Sequence, residues 1–248
     1  MTLLRIGITG SKGFIGRHLV DALKNKKEVK LYGCDLPECN LLKINSFKNF
    51  AAGKDVVIHT AAANRGSDEE IIAGSVVATY NLISAIKKAR GKPKLIFLSS
   101  TQAETDTVYG LSKKLTEILL QSFSQKYKIP VTVFRITNVF GEGCRPFYNS
   151  VVATFCYQVA NNEALTIHNG GKEINLIYVK DLVKIILKEI FFPRKQHFYF
   201  RKITSNNIIA TKKLAQLITS FQDIKNLKKL KSKFHRDLYN TYLSYIKQ

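Results

Sequence analysis

Along the first half of the chain, apolar residues fall into two alternating rhythms. "LLRIGITG" is a short apolar run, and "FIGRHLVDALKN" after it sets Phe14, Ile15, Leu19, Val20 and Leu23 at helical spacing. This predicts a strand, a glycine turn and a helix. "VKLYGCDL" reads as a second strand, "DVVIHTAA" as a third and "TYNLISAIKKA" as a helix. "KLIFLSST" is apolar almost throughout, the pattern of a strand buried on both faces. "KLTEILLQSFSQKY" is a further amphipathic helix and "PVTVFRITNVFG" a further strand. Strands that alternate with helices pair in parallel through right-handed crossovers, so the expected class is α/β with a doubly wound parallel sheet. From "GEGCRPFYNS" the alternation loosens. Helical "VVATFCYQVA" and "VKDLVKIILKEIF" predict a smaller C-terminal lobe over the sheet's edge. The expected division is residues 1–142 and 143–248, partly interleaved, with a substrate between the two.

Composition narrows the partners. With 45% hydrophobic and 23% charged residues in 248, the chain is an ordinary globular one, without repeats or low-complexity tracts. No apolar run approaches bilayer-spanning length, and "MTLLRIGITGSKG" lacks the apolar core and cleavage site of a secretory signal. The expected location is the cytoplasm. A reducing compartment would keep Cys34, Cys39, Cys144 and Cys156 as packing thiols, with a redox pair at Cys34 and Cys39 as the alternative. The formal net charge of +21 invites a nucleic-acid or membrane partner. The lysines are scattered, however, with some clustering in "NLKKLKSKFHR", and no nucleic-acid motif accompanies them. The expectation is a solvated surface with neither nucleic acid nor membrane as partner, part of the charge steering an anionic substrate such as a nucleotide diphosphate. No metal-ligand spacing is present, so no metal is expected.

"TGSKGFIG" sets Gly10, Gly13 and Gly16 three residues apart, after a strand and opening a helix. Glycines there let the backbone turn sharply and approach a pyrophosphate, which rests on the helix N-terminus at Phe14 and Ile15. This is the signature of a Rossmann-type dinucleotide site. Asp35, ending the second strand, could accept from the adenosine ribose hydroxyls and argues for NAD; Lys12, in the turn, could pair with a 2′-phosphate and argues for NADP. Both cofactors stay open. His59 and Ala61, where the third strand ends, are expected to line the cofactor.

"VYGLSK" places Tyr109 four residues before Lys113, about one helical turn, so both face the same side. A tyrosine titrates near ~10, and a neighbouring ammonium is expected to lower that value, which would fit the pair for general acid or base work. Taken with the other motifs, the pair carries a resemblance. "TGSKGFIG", "VIHTAAANR", "FLSST", "VYGLSK" and "FRITNVFGEG", in this order, resemble the extended short-chain dehydrogenase/reductases that act on nucleotide sugars. More narrowly, "RPFYNSVVATFCYQVA", "LIYVKDLV" and "HRDLYNTYLSY" are similar to the reductase half of the bifunctional enzymes that make UDP-2-acetamido-2,6-dideoxy-L-talose for capsule and O-antigen synthesis.

The resemblance implies a reductase of a 4-keto nucleotide sugar that uses NAD or NADP. Hydride would pass from nicotinamide C4 to the ketone, Tyr109 would give the proton, and Lys113 would also bind the nicotinamide ribose. A hydroxyl at Thr101, or at Ser100 beside it, would steady the substrate oxygen; the loop from there to Tyr109 is shorter than in most extended members. Gln102 and Ala103 stand where a 4,6-dehydratase usually carries an Asp-Glu pair, which argues against dehydration. A nucleotide-sugar 4-epimerase is the alternative, and a non-catalytic cofactor-sensing or nucleic-acid-binding module a third. Candidate substrate contacts are Asn64, Arg65, Asn138, Arg145, Asn149 and Ser150, although "EINLIYV" lacks the arginine with which family epimerases often hold the diphosphate. A homodimer through "KLTEILLQSF" is expected, and a cupin epimerase, which follows the reductase in the bifunctional relatives, would here be a separate chain or a missing segment.

Overall fold

The computed structural model describes residues 3–89, 91–167, 171–192, 194, 196–223, 230 and 232–246. The chain opens with β1 (Leu4–Thr9), α1 (Phe14–Leu23), β2 (Val29–Cys34), α2 (Ile44–Ala51) and β3 (Val56–His59). A helical stretch follows, made of α3 (Asp68–Ile72), a π-helical turn (Ala73–Val77) and α4 (Ala78–Lys88). Next come β4 (Lys94–Ser100), a 3-10 turn (Thr101–Glu104), the long α5 (Val108–Tyr127) and β5 (Val131–Ile136). The remainder is β6 (Asn138–Phe140), α6 (Val151–Ala160), β7 (Glu173–Tyr178), α7 (Val179–Phe191), β8 (Phe198–Ile203), β9 (Ile208–Ala210), α8 (Thr211–Thr219), a 3-10 turn (Ser220–Asp223) and α9 (Lys233–Leu243).

Two compact units result, the first of Met1–Ile136 with Ile185–Ile203 and the second of Thr137–Lys184 with Thr204–Gln248. The chain therefore crosses over at Ile136 rather than at residue 142, and crosses back for α7's second half and β8. In the first unit six parallel strands run in the order β2-β1-β3-β4-β5-β8. The order reverses at β1, which pairs with both β2 and β3, and such a reversal opens a crevice at the strands' carboxyl ends. Leu95, Ile96, Phe97 and Leu98 of β4 and Val131, Val133 and Phe134 of β5 are buried with no alternation, as helix-covered central strands require. Each large side chain so buried contributes roughly 1.5–3 kcal/mol.

The run "PVTVFRITNVFG" does not form one strand. Thr137 and Asn138 both donate from their side chains to the Asn175 carbonyl, at 2.9 and 3.2 Å, and the chain leaves the large sheet for β7. β6 and β9 flank β7 in a separate three-stranded sheet of the second unit. Its core gathers Phe221, Tyr239 and Tyr242, with Cys144 and Cys156 buried as thiols. The other two cysteines correct the expectation of packing thiols: Cys34 and Cys39 form a disulfide, because the loop after β2 folds back to bring their Cα atoms within 5.1 Å.

Returning chain is fastened to the first unit at the amino ends of β4 and β5. The Lys94 ammonium pairs with the Glu189 carboxylate and donates to the Glu189 carbonyl at 3.0 Å, and Thr132 donates to the same carboxylate at 2.9 Å. Lys94 and Glu189 are both buried.

Candidate active site

At the end of β1 the backbone turns at Gly10 (φ +71°), whose amide donates to the Cys34 carbonyl at 2.9 Å. Gly16 must come close: a Cβ there would lie 2.0 Å from the Gly10 carbonyl oxygen. α1 starts at Gly13 with no side-chain cap and no acidic residue in its first turn. The first-turn amides of Phe14, Ile15 and Gly16 are thus of the kind that a helix offers to an anion. Asp35 is aimed at this turn, accepting from the Ser11 hydroxyl and, at 2.9 Å, from the Lys12 amide. Lys12's ammonium is exposed, 3.9 Å from Glu38. A tight glycine turn, an uncapped helix start and an acid at the end of β2 fit the pyrophosphate and ribose of a dinucleotide.

His59 is held by its ring. Thr79 donates to the Ser75 carbonyl at 2.6 Å and so accepts from His59 Nε2–H at 3.0 Å, leaving Nδ1 to accept from the Thr9 hydroxyl at 2.7 Å. Burial, with the Lys113 charge adding to it, drives His59 down to about 3, so its imidazole is neutral. The Ala61 amide donates to Thr9 Oγ1 at 3.3 Å, joining the loop after β3 to the same chain of bonds. Among the described residues no group of three or more potential metal donors gathers.

Ser100, Tyr109 and Lys113 meet at the carboxyl end of β4. Ser100 caps the 3-10 turn, its hydroxyl oxygen accepting from the Gln102 amide at 3.1 Å, and its side chain is near enough to Tyr109 to act on the phenol. Thr107 caps α5, accepting from the Gly110 amide at 3.1 Å. Gly110 lets helix and turn touch, since a Cβ there would lie 2.3 Å from the Gln102 carbonyl oxygen. Lys113 Nζ lies 5.7 Å from the Tyr109 ring centroid and 5.0 Å from that of Phe97, and it donates to the Leu98 carbonyl at 3.4 Å. Of the two hydroxyl candidates, Ser100 ends β4 and Thr101 opens the 3-10 turn.

The electrostatics correct the sequence expectation. Burial raises the Tyr109 phenol, and the Ser100 hydrogen bond opposes it. Burial lowers Lys113 to about 8, with Glu117 pulling the other way. Desolvation acts on both groups, so the phenol keeps its proton and the ammonium gives up its own more readily.

Residues 6–197 match the family described as NAD dependent epimerase/dehydratase family. The chain belongs to the NAD-dependent epimerase/dehydratase family. Over 98% of its length it is 30% identical to the UDP-2-acetamido-2,6-beta-L-arabino-hexul-4-ose reductase of Pseudomonas aeruginosa, covering 65% of that protein. It is similar, at 29% identity and a TM-score of 0.80, to the capsular polysaccharide assembling protein CapF of Staphylococcus aureus, across 98% of this chain and 65% of that one. The chain therefore spans less than two thirds of either relative. It shares its fold with the UDP-glucose 4-epimerase of Thermotoga maritima at a TM-score of 0.84 and 19% identity, across 97% of this chain and 98% of the epimerase.

The remaining candidates of this family member divide between the units. Asn64, half-buried, and Arg65, exposed, follow β3 in the first unit. Asn138, Arg145, Asn149 and Ser150 belong to the second. There Asn138 is bonded to the Asn175 carbonyl, Arg145 lies over the Tyr148 ring at 5.3 Å, and Ser150 caps α6 by accepting from the Ala153 amide at 3.3 Å. Asn149 is exposed. Sequence reasoning missed Ser11, the partner of Asp35, and Glu117, which falls one helical turn after Lys113 on the same buried face.

Proposed function

We propose that this chain is a reductase of a 4-keto nucleotide sugar, of the UDP-4-keto-6-deoxy-HexNAc type, serving the synthesis of a surface polysaccharide precursor. The observation that carries the reading is the gathering of Ser100, Tyr109 and Lys113 at the carboxyl end of β4, with the buried Lys113 ammonium 5.7 Å from the Tyr109 ring. The relationship to the Pseudomonas reductase supports the choice of substrate class.

Gly10, Gly13, Phe14, Ile15 and Gly16 would hold the pyrophosphate of NAD or NADP, with Asp35, Lys12 and Ala61 around the adenosine half. A reduced nicotinamide bound there supplies the hydride for a sugar ketone. Tyr109, protonated at neutral pH, hands its proton to the oxygen as negative charge develops on it. Ser100 donates a hydrogen bond to that oxygen, and the Lys113 ammonium stabilises the phenolate left behind. With the hydride on its carbon and the Tyr109 proton on its oxygen, the ketone becomes an alcohol. His59, neutral and held by two threonines, keeps the loop after β3 in place.

The same reading makes the protein a cytoplasmic homodimer working with a cupin epimerase. Leu111, Leu115 and Ile118 of α5 are exposed, as are Ile72, Val77 and Tyr80 on the helical stretch that packs beside α5. Such an apolar face suits a second copy of the chain.

The test mixes the protein with NADPH or NADH and a UDP-4-keto-6-deoxy-HexNAc and follows nicotinamide absorbance. Stoichiometric loss of reduced cofactor, abolished by Tyr109→Phe, supports the reductase. Interconversion of C4 epimers with no net loss of cofactor would replace it by the epimerase.

A further inference from the structure

Behind the constellation lies a second set of charges. Arg135, on β5, holds Glu117 of α5 with two nitrogens: Nε donates to Oε1 at 3.0 Å and Nη2 to Oε2. Its remaining nitrogen, Nη1, reaches Glu104 of the 3-10 turn at 2.9 Å, and the guanidinium lies over the Phe200 ring at 4.8 Å. Ser99, the neighbour of Ser100, donates to Glu117 Oε1 at 2.5 Å. Arg135, Glu117 and Ser99 are all buried. The Arg135–Glu117 pair therefore ties together the three pieces that carry the site: the guanidinium joins the 3-10 turn to the helix that bears Tyr109 and Lys113, and the carboxylate joins that helix to Ser99 at the end of β4.

Glu117 also sits four residues after Lys113, the spacing at which opposite charges on a helix attract. Both its oxygens are already taken by Ser99 and Arg135. A carboxylate so engaged can attract Lys113 without drawing it into a direct pair, which leaves the ammonium's donors for the Leu98 carbonyl and for the site. Without Arg135, the nearest compensation for a buried Glu117 would be Lys113 itself.

We propose that Arg135 and Glu117 are positioning residues of the Ser100–Tyr109–Lys113 site, the guanidinium fixing α5 against the 3-10 turn, and the carboxylate holding α5 to the end of β4 and serving as a fixed counter-charge to Lys113. The proposal rests on the reductase reading for its effect on turnover, but its electrostatic half can be read without any substrate. The titratable groups around Lys113 are the charged Glu117 and the protonated Tyr109 on its own helix and the neutral His59 on β3. Removing Glu117 takes away the one influence that raises Lys113, so the lysine should lose its proton at lower pH.

The experiment is a side-chain nitrogen NMR titration of the full chain with isotopically labelled lysine, Lys113 being assigned by its loss in Lys113→Met. In Glu117→Gln the Lys113 midpoint is expected to fall by about half a unit or more from its wild-type position near 8. On the 4-keto nucleotide sugar, kcat should drop roughly tenfold with KM little changed, and the alkaline limb of the pH profile should move to lower pH by the same interval. An unchanged midpoint and an unchanged pH profile in a folded Glu117→Gln protein would overturn the proposal. Should that variant fail to fold, Glu104→Gln decides. It loosens the partly exposed arm of Arg135 and also the Glu104 pair with exposed Lys202 at 2.8 Å, so Lys202→Met is the control that loses the second contact alone. Relative to that control kcat is expected to fall about threefold at constant KM, and a kcat equal to the control's would overturn the proposal. If the wild-type protein turns over no 4-keto nucleotide sugar, the reductase reading fails while the NMR titration still judges the counter-charge.

Discussion

β4 and β5 carry a buried ion pair at each end, built from the same chemistry and doing different things. At the amino ends, Lys94 and Thr132 bind Glu189, which lies far along the chain. At the carboxyl ends, Arg135 binds Glu117 and, through it, Ser99. The first pair fastens a returning segment to the sheet and, among the described residues, hydrogen-bonds to no candidate site residue. The second links a strand, a turn and a helix whose next residues are Ser100, Tyr109 and Lys113. Burial alone therefore does not tell a fastening from a positioning device. What distinguishes them is which ends of the parallel strands they occupy, since ligands of open α/β sheets bind outside the carboxyl ends.

The strongest break between the two ends should come from Tyr109→Phe, which keeps the ring and removes only the hydroxyl. Turnover is expected to fall about 10²–10⁴-fold with the melting temperature little changed. Lys94→Met should do the opposite. It leaves the buried Glu189 with only Arg194, 3.3 Å away, and the Thr132 hydroxyl as partners, a loss of roughly 1–3 kcal/mol in denaturant unfolding, while turnover per folded molecule and its pH profile stay as in wild type. A shifted pH profile in Lys94→Met would dissolve the distinction.

Acid and alkali sharpen it next. Lys113 sits at about 8 when folded, below its ordinary value near ~10.4, so the unfolded chain holds the extra proton between those pH values. Stability should accordingly rise with pH across that interval, and the rise should vanish in Lys113→Met. His59, at about 3 when folded against an ordinary value near ~6.5, is likewise better protonated in the unfolded chain. Its contribution should be present above pH ~6.5 and fade as the pH falls toward 3, a loss that His59→Gln should flatten. The smallest effect belongs to neither end. Reducing the short Cys34–Cys39 loop with dithiothreitol should lower stability by about 2 kcal/mol and leave the alkaline limb of turnover unmoved.

Much of the first unit was legible because its signals are local. "TGSKGFIG" and "VYGLSK" each hold strand end, turn and helix start within a few residues, and "KLIFLSST" announces its own burial. What stayed hidden is long-range. Arg135 and Glu117 lie eighteen residues apart inside apolar runs where a charge looks like surface, and only the pairing of β4 with β5 brings them together. β6 and β9 have three residues each, too short for any periodicity, and β6 continues the apolar run of β5 without a turn residue between. The direction of the Tyr109 shift was misread for a related reason: spacing reveals the neighbouring lysine but not the burial that outweighs it. The Cys34–Cys39 pair was only the alternative to packing thiols, because it depends on how the chain between the two cysteines folds back after β2.

The returning segment also sets a timetable. β5 is complete at Ile136, yet its neighbour β8 ends only at Ile203. At a synthesis rate of roughly 5–20 residues per second, a strand with both faces meant for the interior waits several seconds on the ribosome with one edge unpaired. Over that interval the nascent chain presents Val131, Val133 and Phe134 beside an open row of backbone donors and acceptors, an arrangement that invites other strands. The chain's exposure to misassembly should therefore be greatest in the middle of its own synthesis, and slower translation of residues 137–203 should lower the yield of folded protein.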